Sequence, residues 1–294
     1  MSNAKSEVGW GVIGGSGIAD RRTIPEGITP ASNARLVAIC GRSLETSQRI
    51  VSKYPGARAY PDLQAMLADE QVQAVYIATP NNLHREQCLA AARAGKHVFC
   101  EKPLACTVAE AEEMVRVCEQ EGVVLGTAFM MRFHGHHQAL LRMVREGRLG
   151  KIVSARAQCG FWYPPLEGAW RQVQAQGGGG ALMDVGSHCV DLLEMLLGPA
   201  QRVTAFIDTL VHSYETDDTA VLLLEFEKGA RGIVDVYFNL PAAQNRLEVN
   251  GTEGTAVCAG TIGQGSRGSL TVFSGEGAEE EIPLQEVNTY RAEI

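Results

Sequence analysis

Four groups of residues in this chain have types and spacings suited to chemistry. Lys102 sits in Glu101-Lys102-Pro103, directly after the apolar run His97 to Cys100. A buried strand that ends in a charged pair and a proline delivers that pair to the carboxyl edge of a sheet, where ligands of open α/β sheets bind. Proline also holds the residue before it extended, so Lys102 combines a restricted backbone with a long cationic side chain. Asp184 and His188 stand four positions apart in Gly177-Gly178-Gly179-Gly180-Ala-Leu-Met-Asp184-Val-Gly-Ser-His188-Cys-Val-Asp191. On a helix that spacing puts them on one face, where a carboxylate orients an imidazole and raises its basicity.

Gly14-Gly15-Ser16-Gly17-Ile18-Ala19 follows the apolar run Val8 to Ile13 without a gap. Strand, glycine-rich turn, helix and strand form the context of a dinucleotide fingerprint: the glycines let the backbone approach a pyrophosphate, and the helix start offers free N–H groups. In this frame Gly14, Ser16, Gly17 and Ile18 are cofactor contacts. Serine takes the place of the middle glycine, so Gly17 must carry the conformational load. At the end of the second strand Gly41-Arg42-Ser43 stands where an NAD site has Asp or Glu for the ribose 2′-hydroxyl. Arg42 can fork onto a 2′-phosphate and Ser43 can donate to it, so the pattern favours NADP over NAD.

The elements that must position these groups follow from the hydrophobic pattern. Leu36 to Cys40, Val72 to Ala78, His97 to Cys100 and Val123 to Phe129 read as parallel strands, with helices from Leu44, over Pro61–Leu67, through Leu89–Ala94 and after Thr107. Ala111, Met114, Val115 and Cys118 predict one apolar helix face. The polar stretch Asp20 to Asn33, with Pro25 and Pro30, reads as a loop insertion in the first crossover. From Lys151 the rhythm becomes alternating, with strand-like runs at 151–159, 202–211, 218–227, 231–238, 245–250 and 269–274, and one long excursion at 160–200. The predicted fold is α/β: an N-terminal Rossmann domain with a doubly wound parallel sheet at 5–129, then an α+β domain with an open, mostly antiparallel sheet at 130–294.

Glu101-Lys102-Pro103 with Gly95-Lys96-His97 before it, Thr79-Pro80-Asn81-x-x-His84, and the Gly-Gly-Gly-x-x-x-Asp184-x-Gly-x-His188-x-x-Asp191 segment resemble the signatures of the Gfo/Idh/MocA oxidoreductases. The resemblance runs from residue 8 to 294. It implies a nicotinamide-dependent enzyme acting on sugars or polyols, in which Lys102, Asp184 and His188 are catalytic and meet across the interdomain cleft. Asp191 is then a structural residue or a support for the site. His188 would move the proton at the substrate oxygen and Lys102 would polarise that oxygen, with the formal acid left open between them. Thr79, Pro80, Asn81, His84, Glu101 and Lys102 would lie against the cofactor, with Asn81 near the nicotinamide ribose and His84 equally readable as a helix-capping residue.

Within the family the match is nearest the NADP-dependent 1,5-anhydrofructose reductase type, through Pro164-Pro165-x-x-x-x-Trp170-Arg171, His84-Arg-Glu-Gln and Val124-Leu-Gly-Thr. In that type Trp170 and Arg171 close over the cofactor. Ala128 stands where that type has Asn. Family chains continue past Tyr290 with helices that pack back on the first domain, so this chain is expected to be short at its end.

Composition narrows the alternatives. With 294 residues, 45% hydrophobic and 20% charged, the chain suits two globular domains. The net charge of −8 and scattered basic residues disfavour nucleic acid. No apolar run reaches the length of a membrane span, and the dispersed cysteines without a C-x-x-C pair suit reduced thiols, so a cytoplasmic location is expected. His134-Gly-His136-His137 invites a metal reading, but without neighbouring Cys or carboxylate ligands it reads better as a helix start. A catalytically silent NAD(P)-binding sensor of the same fold is the competing functional class, and an exposed face of the second sheet would suit homo-oligomers. Substrate choice would fall to the loops 160–176 and 239–245.

Overall fold

The computed structural model describes residues 7–275 and 277–294, so the predicted domain start at residue 5 lies outside the described residues. The chain divides into two units, one holding the described residues up to Ala128 with Tyr290–Ile294, the other Phe129–Thr289.

The first unit is built on strands that are apolar on both sides. They are β1 (Val8–Ile13), β2 (Ala34–Cys40), β3 (Arg58–Ala59), β4 (Ala74–Ile77), β5 (His97–Glu101) and β6 (Leu125–Ala128). All pair in parallel, in the order β3-β2-β1-β4-β5-β6. This is the doubly wound order, whose reversal at β1/β4 opens a crevice at the strands' carboxyl ends. Adjacent residues of β1 serve opposite faces. Val12 packs with Ile24, Ile28, Ile39, Ile50 and Tyr76, while Ile13 packs with Val37, Ile77, Cys88, Val98, Cys100 and Met114. Burying both faces explains why the strands read as nearly continuous apolar runs.

Two readings of this unit change. The stretch expected as a loop insertion contains a wide-pitched helix, Ala19–Ile28, with Pro25 inside it. Ala19, Ile24 and Ile28 are all fully buried, so tertiary packing overrides the proline signal. In the helix Val108–Gln120, Thr107 forms the capping box with Glu110 as the sequence suggests. Its buried face carries Met114, Val117 and Cys118, while Val115 is 43% exposed.

The second unit holds β7 (Ile152–Gly160), β8 (Ala200–Asp208), β9 (Thr219–Phe226), β10 (Arg231–Tyr237), β11 (Arg246–Gly251), β12 (Gly254–Ala259), β13 (Ser269–Ser274) and β14 (Glu279–Ile282). Their order is β14-β13-β12-β11-β7-β10-β9-β8, antiparallel except for β7 with β10. β12 and β14 escape the sequence reading, being a Gly/Ala-containing strand after a tight turn and a run of three glutamates. Ala157, Val234 and Leu222 turn inward and are buried, with the helix Ser187–Leu197 covering that face through Leu192 and Leu193. Leu223 and Ile233 point the other way and are exposed.

β8 ends at Asp208, earlier than expected, because the chain turns there onto a carboxylate. The N–H groups of Leu210, Val211 and His212 all donate to Asp218. Burial alone raises the Asp218 pKa, but these donors and the Thr219 hydroxyl outweigh it and hold the carboxyl below its usual range.

Candidate active site

The glycine turn after β1 takes the form a pyrophosphate needs. Gly14 and Gly17 have φ of 81° and 65°, the left-handed region that side chains avoid. A Cβ at Gly14 would stand 2.7 Å from the Ala78 carbonyl oxygen, whereas the space beside Gly17 is open. Ser16 is exposed and Ile18 partly exposed at the start of the helix Ala19–Ile28. Backbone N–H groups and open room at a helix start fit an anionic dinucleotide. At the end of β2, Arg42 is exposed. The Ser43 hydroxyl caps the next helix, accepting from the Thr46 N–H at 3.2 Å and donating to the Thr46 hydroxyl at 2.9 Å.

β4 ends at Thr79-Pro80-Asn81 and β5 at Glu101-Lys102-Pro103, neighbouring strands whose last residues reach the same sheet edge. The Lys102–Pro103 peptide is cis. Asn81 is buried, and the Thr79 hydroxyl donates to Gln87 at 2.6 Å. His84 is fully buried, with Nδ1 3.0 Å from the Pro103 carbonyl oxygen and Nε2 3.1 Å from that of Thr79. Burial pushes its pKa down, the facing carbonyls oppose this, and the Lys102 cation adds to the lowering.

A relay that no sequence signal announced fixes Glu101. The Thr23 hydroxyl donates to the Tyr76 hydroxyl at 2.9 Å, and Tyr76 donates to the Glu101 carboxylate. Burial, with the neighbouring Glu101 charge, holds the Tyr76 phenol well above its ordinary range, so it remains a donor. The end segment Tyr290–Ile294 belongs to this unit, where the Arg22 guanidinium lies 4.9 Å over the Tyr290 ring.

In the second unit, residues 181–197 form a continuous helical run, wide-pitched over Leu182–Gly186 and α-helical over Ser187–Leu197. Asp184 lies in the first part and His188 in the second. The Asp184 carboxylate lies 3.3 Å from Arg171 Nε, and the Arg171 guanidinium stacks 4.2 Å over the Trp170 ring. Tyr163 hydrogen-bonds to the same Arg171 side chain. The His188 ring is buried and meets Phe129 edge-on at 5.7 Å. Asp191 binds Arg132 through both carboxylate oxygens, a structural pair on the following turn.

Sequence reasoning passed over the segment Glu215–Asp218, which holds these pieces in place. Asp217 accepts from the N–H of Gly180 at 2.7 Å and of Leu182 at 2.8 Å, and its carbonyl accepts from Ala181 at 2.9 Å. The Thr216 hydroxyl donates to the Arg171 carbonyl, and Glu215 accepts from the Gln174 N–H. An Asp-Asp pair before a strand looks like a turn, and only tertiary pairing gives it this role.

His134, His136 and His137 are buried and structural. His134 Nδ1 accepts from the His136 N–H, so Nε2 donates to the Arg267 carbonyl. His137 donates from Nδ1 to Met131 and accepts the Thr261 hydroxyl at Nε2. Among the described residues no group of three or more His, Cys, Asp or Glu side chains could hold a metal ion.

Two family models cover most of the chain: the oxidoreductase family, NAD-binding Rossmann fold, over residues 8–129, and the GFO/IDH/MocA C-terminal domain over residues 137–257. The chain belongs to the Gfo/Idh/MocA oxidoreductase family. It is 33% identical over 287 residues to 1,5-anhydro-D-fructose reductase of Ensifer adhaerens, spanning 97% of this chain and 85% of that one. It is 34% identical over 250 residues to D-xylose 1-dehydrogenase (NADP(+)) 2 of Haloferax volcanii, spanning 82% and 75%. Among solved structures it resembles levoglucosan dehydrogenase in complex with NADH and levoglucosan, at a TM-score of 0.84 and 26% identity over 94% of this chain and 80% of that one. In Gfo/Idh/MocA terms the first unit is the NAD-binding Rossmann domain, and the chain is an oxidoreductase. No helix among the described residues is long and apolar enough to cross a membrane.

Proposed function

We propose that this oxidoreductase transfers a hydride between NADP and a sugar, a polyol or a related carbonyl compound, with Lys102, Asp184 and His188 as its catalytic groups. The observation that carries the reading is Lys102 at the carboxyl end of β5, one strand from the Thr79-Pro80-Asn81 turn, in a parallel sheet whose first turn is an anion cradle. The named relatives, a sugar reductase and a sugar dehydrogenase, support the substrate class.

When bound, the nicotinamide supplies or receives the hydride. The chain's own residues do the rest. The Gly14–Ile18 backbone holds the pyrophosphate. Arg42 recognises the 2′-phosphate through its planar fork, while Ser43 serves the helix cap. Asn81 orients the ribose, and Trp170 with Arg171 covers the cofactor. Lys102 polarises the reacting oxygen and His188 moves its proton. The Arg171 guanidinium lies against the Asp184 carboxylate, so one side chain links the cofactor cover to a catalytic carboxylate.

The exposed outer face of the second sheet, with Phe206, Leu223 and Ile233, and the edge strand β8 support a homo-oligomer formed through that sheet. A spectrophotometric screen of NADPH and NADH against sugars, polyols and dicarbonyl sugars tests the function. Turnover with at least one such compound is expected, and none with any would sink the reading.

A further inference from the structure

We infer that His84 is a positioning residue for Lys102: its buried ring stands between the Pro103 and Thr79 carbonyls and holds the Glu-Lys-Pro turn in register with the Thr-Pro-Asn turn. The inference rests on the proposed role of Lys102.

The ring stands on the first residue of the helix His84–Arg93, which packs against β4, β5 and the helix Val108–Gln120. It is fully buried, and each of its nitrogens faces a backbone carbonyl oxygen, at 3.0 Å and 3.1 Å. The Leu104 backbone also lies against it. Carbonyl oxygens only accept. A neutral imidazole donates to one of the two in either tautomer, and the imidazolium donates to both. An ordinary core histidine pairs one donor with one acceptor, as His137 does with the Met131 carbonyl and the Thr261 hydroxyl. Two facing acceptors instead let either neutral tautomer hold one turn by a hydrogen bond while the ring fills the space against the other, and let the imidazolium hold both.

The two turns are the ones that carry chemistry. The Pro103 carbonyl follows Lys102 by one residue, so the anchor that fixes it also fixes the root of the lysine side chain. The same helix meets Thr79 twice, at its carbonyl through the His84 ring and at its hydroxyl through Gln87. The helix thus carries the Thr79 turn as a rigid unit, and His84 extends that hold to the Lys102 turn. A displacement of about 1 Å at a reacting group can cost on the order of 10²-fold in rate, so such a hold acts on the chemical step more than on cofactor affinity.

A double-mutant cycle on the full chain, with NADPH and the best substrate from the screen, tests this. His84→Leu is expected to lower kcat by about 10- to 100-fold and to move the KM for NADPH by less than about threefold. In a Lys102→Ala background the same change should cost less than about threefold further, because the residue it positions is gone. His84→Gln, which keeps an amide donor, should recover part of the loss. Equal losses in both backgrounds, or a raised KM with unchanged kcat, would overturn the inference.

Hydrogen–deuterium exchange separates this outcome from a failure of the functional reading. In both His84 variants, residues 79–83 and 101–105 should exchange faster together while the helix Val108–Gln120 keeps its protection. Loosening of one turn alone, or of neither, overturns the clamp. If the wild-type chain reduces no sugar, the functional reading fails, and the exchange pattern alone supports or overturns the clamp.

Discussion

Asp217 Oδ1 accepts a 2.7 Å hydrogen bond from the N–H of Gly180, the residue just before the helical run that carries Asp184 and His188. The approach is so close that a Cβ on Gly180 would stand 1.9 Å from the Asp217 carbonyl oxygen. The glycine run therefore serves contact with Asp217, while the carboxylate satisfies N–H groups that a helix start leaves over. Hydrogen bonds to a charged group contribute about 1.5–3 kcal/mol each where they are shielded. Asp217→Ala is expected to lower the melting temperature of the chain and to cut kcat by about tenfold or more, as the Asp184–His188 run loses its anchor. Unchanged melting and unchanged kcat would show that the other contacts of this segment suffice.

The catalytic assignment predicts a different signature. Lys102→Ala and His188→Ala should each lower turnover by about 10²–10⁴-fold, the usual worth of acid–base and electrostatic groups. NADPH binding, followed by its fluorescence, should largely survive in both. Near-normal turnover of the His188 variant would remove that residue from the mechanism.

Arg171 offers a third test. Its guanidinium meets Asp184 at 3.3 Å and covers Trp170 at 4.2 Å, so a lysine in its place keeps the charge but loses the planar stack. Arg171→Lys should raise the KM for NADPH several-fold and lower kcat as Asp184 loses its fork-shaped partner. A variant with wild-type constants would show that neither contact is used in turnover.

Much of this architecture is legible in the residues. The parallel strands announce themselves because burial on both faces demands unbroken apolar runs such as Ala74–Ile77. Thr107 with Glu110 announces a helix start. What escapes is whatever depends on partners distant in sequence. Pro25 argues against a helix, yet Ile24 and Ile28 gain enough burial to form one. The spacing of Asp184 and His188 suggests a local pair but gives no sign of Arg171 and Asp217, 13 residues before and 33 after Asp184, which meet Asp184 and the start of its helical run. Ser43 reads as a phosphate donor, and its bond to the Thr46 N–H, which makes it also the cap of the next helix, goes unannounced.

With Ser43 engaged at the helix start, discrimination between NADP and NAD rests on Arg42. A charge-assisted contact to a phosphate is worth on the order of 1.5–3 kcal/mol, roughly 10- to 100-fold in affinity. Arg42→Ala should raise the KM for NADPH by about that factor and leave that for NADH nearly unchanged, while Ser43→Ala should act mainly on stability. Because Arg42 is exposed, the preference should weaken as salt rises. Equal affinity of the wild-type chain for the two cofactors would refute the assignment.

The last prediction concerns acid stability and the buried histidine His137. It is fully buried, donates from Nδ1 to the Met131 carbonyl at 2.7 Å and accepts the Thr261 hydroxyl at 2.8 Å, so both nitrogens are matched to the neutral ring. Burial is the largest cause of a pKa lowered to about 3, with the neighbouring His134 and His136 adding to it. An unfolded histidine titrates near ~6.5. Between these values the unfolded chain binds a proton that the folded chain refuses. Stability from this site is therefore intact above about pH 6.5 and falls as pH drops toward about 3, at up to roughly 1.4 kcal/mol per pH unit. His137→Asn keeps an amide donor for Met131 and removes the titrating group. Urea unfolding of both proteins from pH 7 to pH 4 should show the wild type losing stability more steeply, with the gap opening below about pH 6.5. Parallel pH profiles would mean that the His137 ring takes up its proton in the folded chain as readily as in the unfolded one.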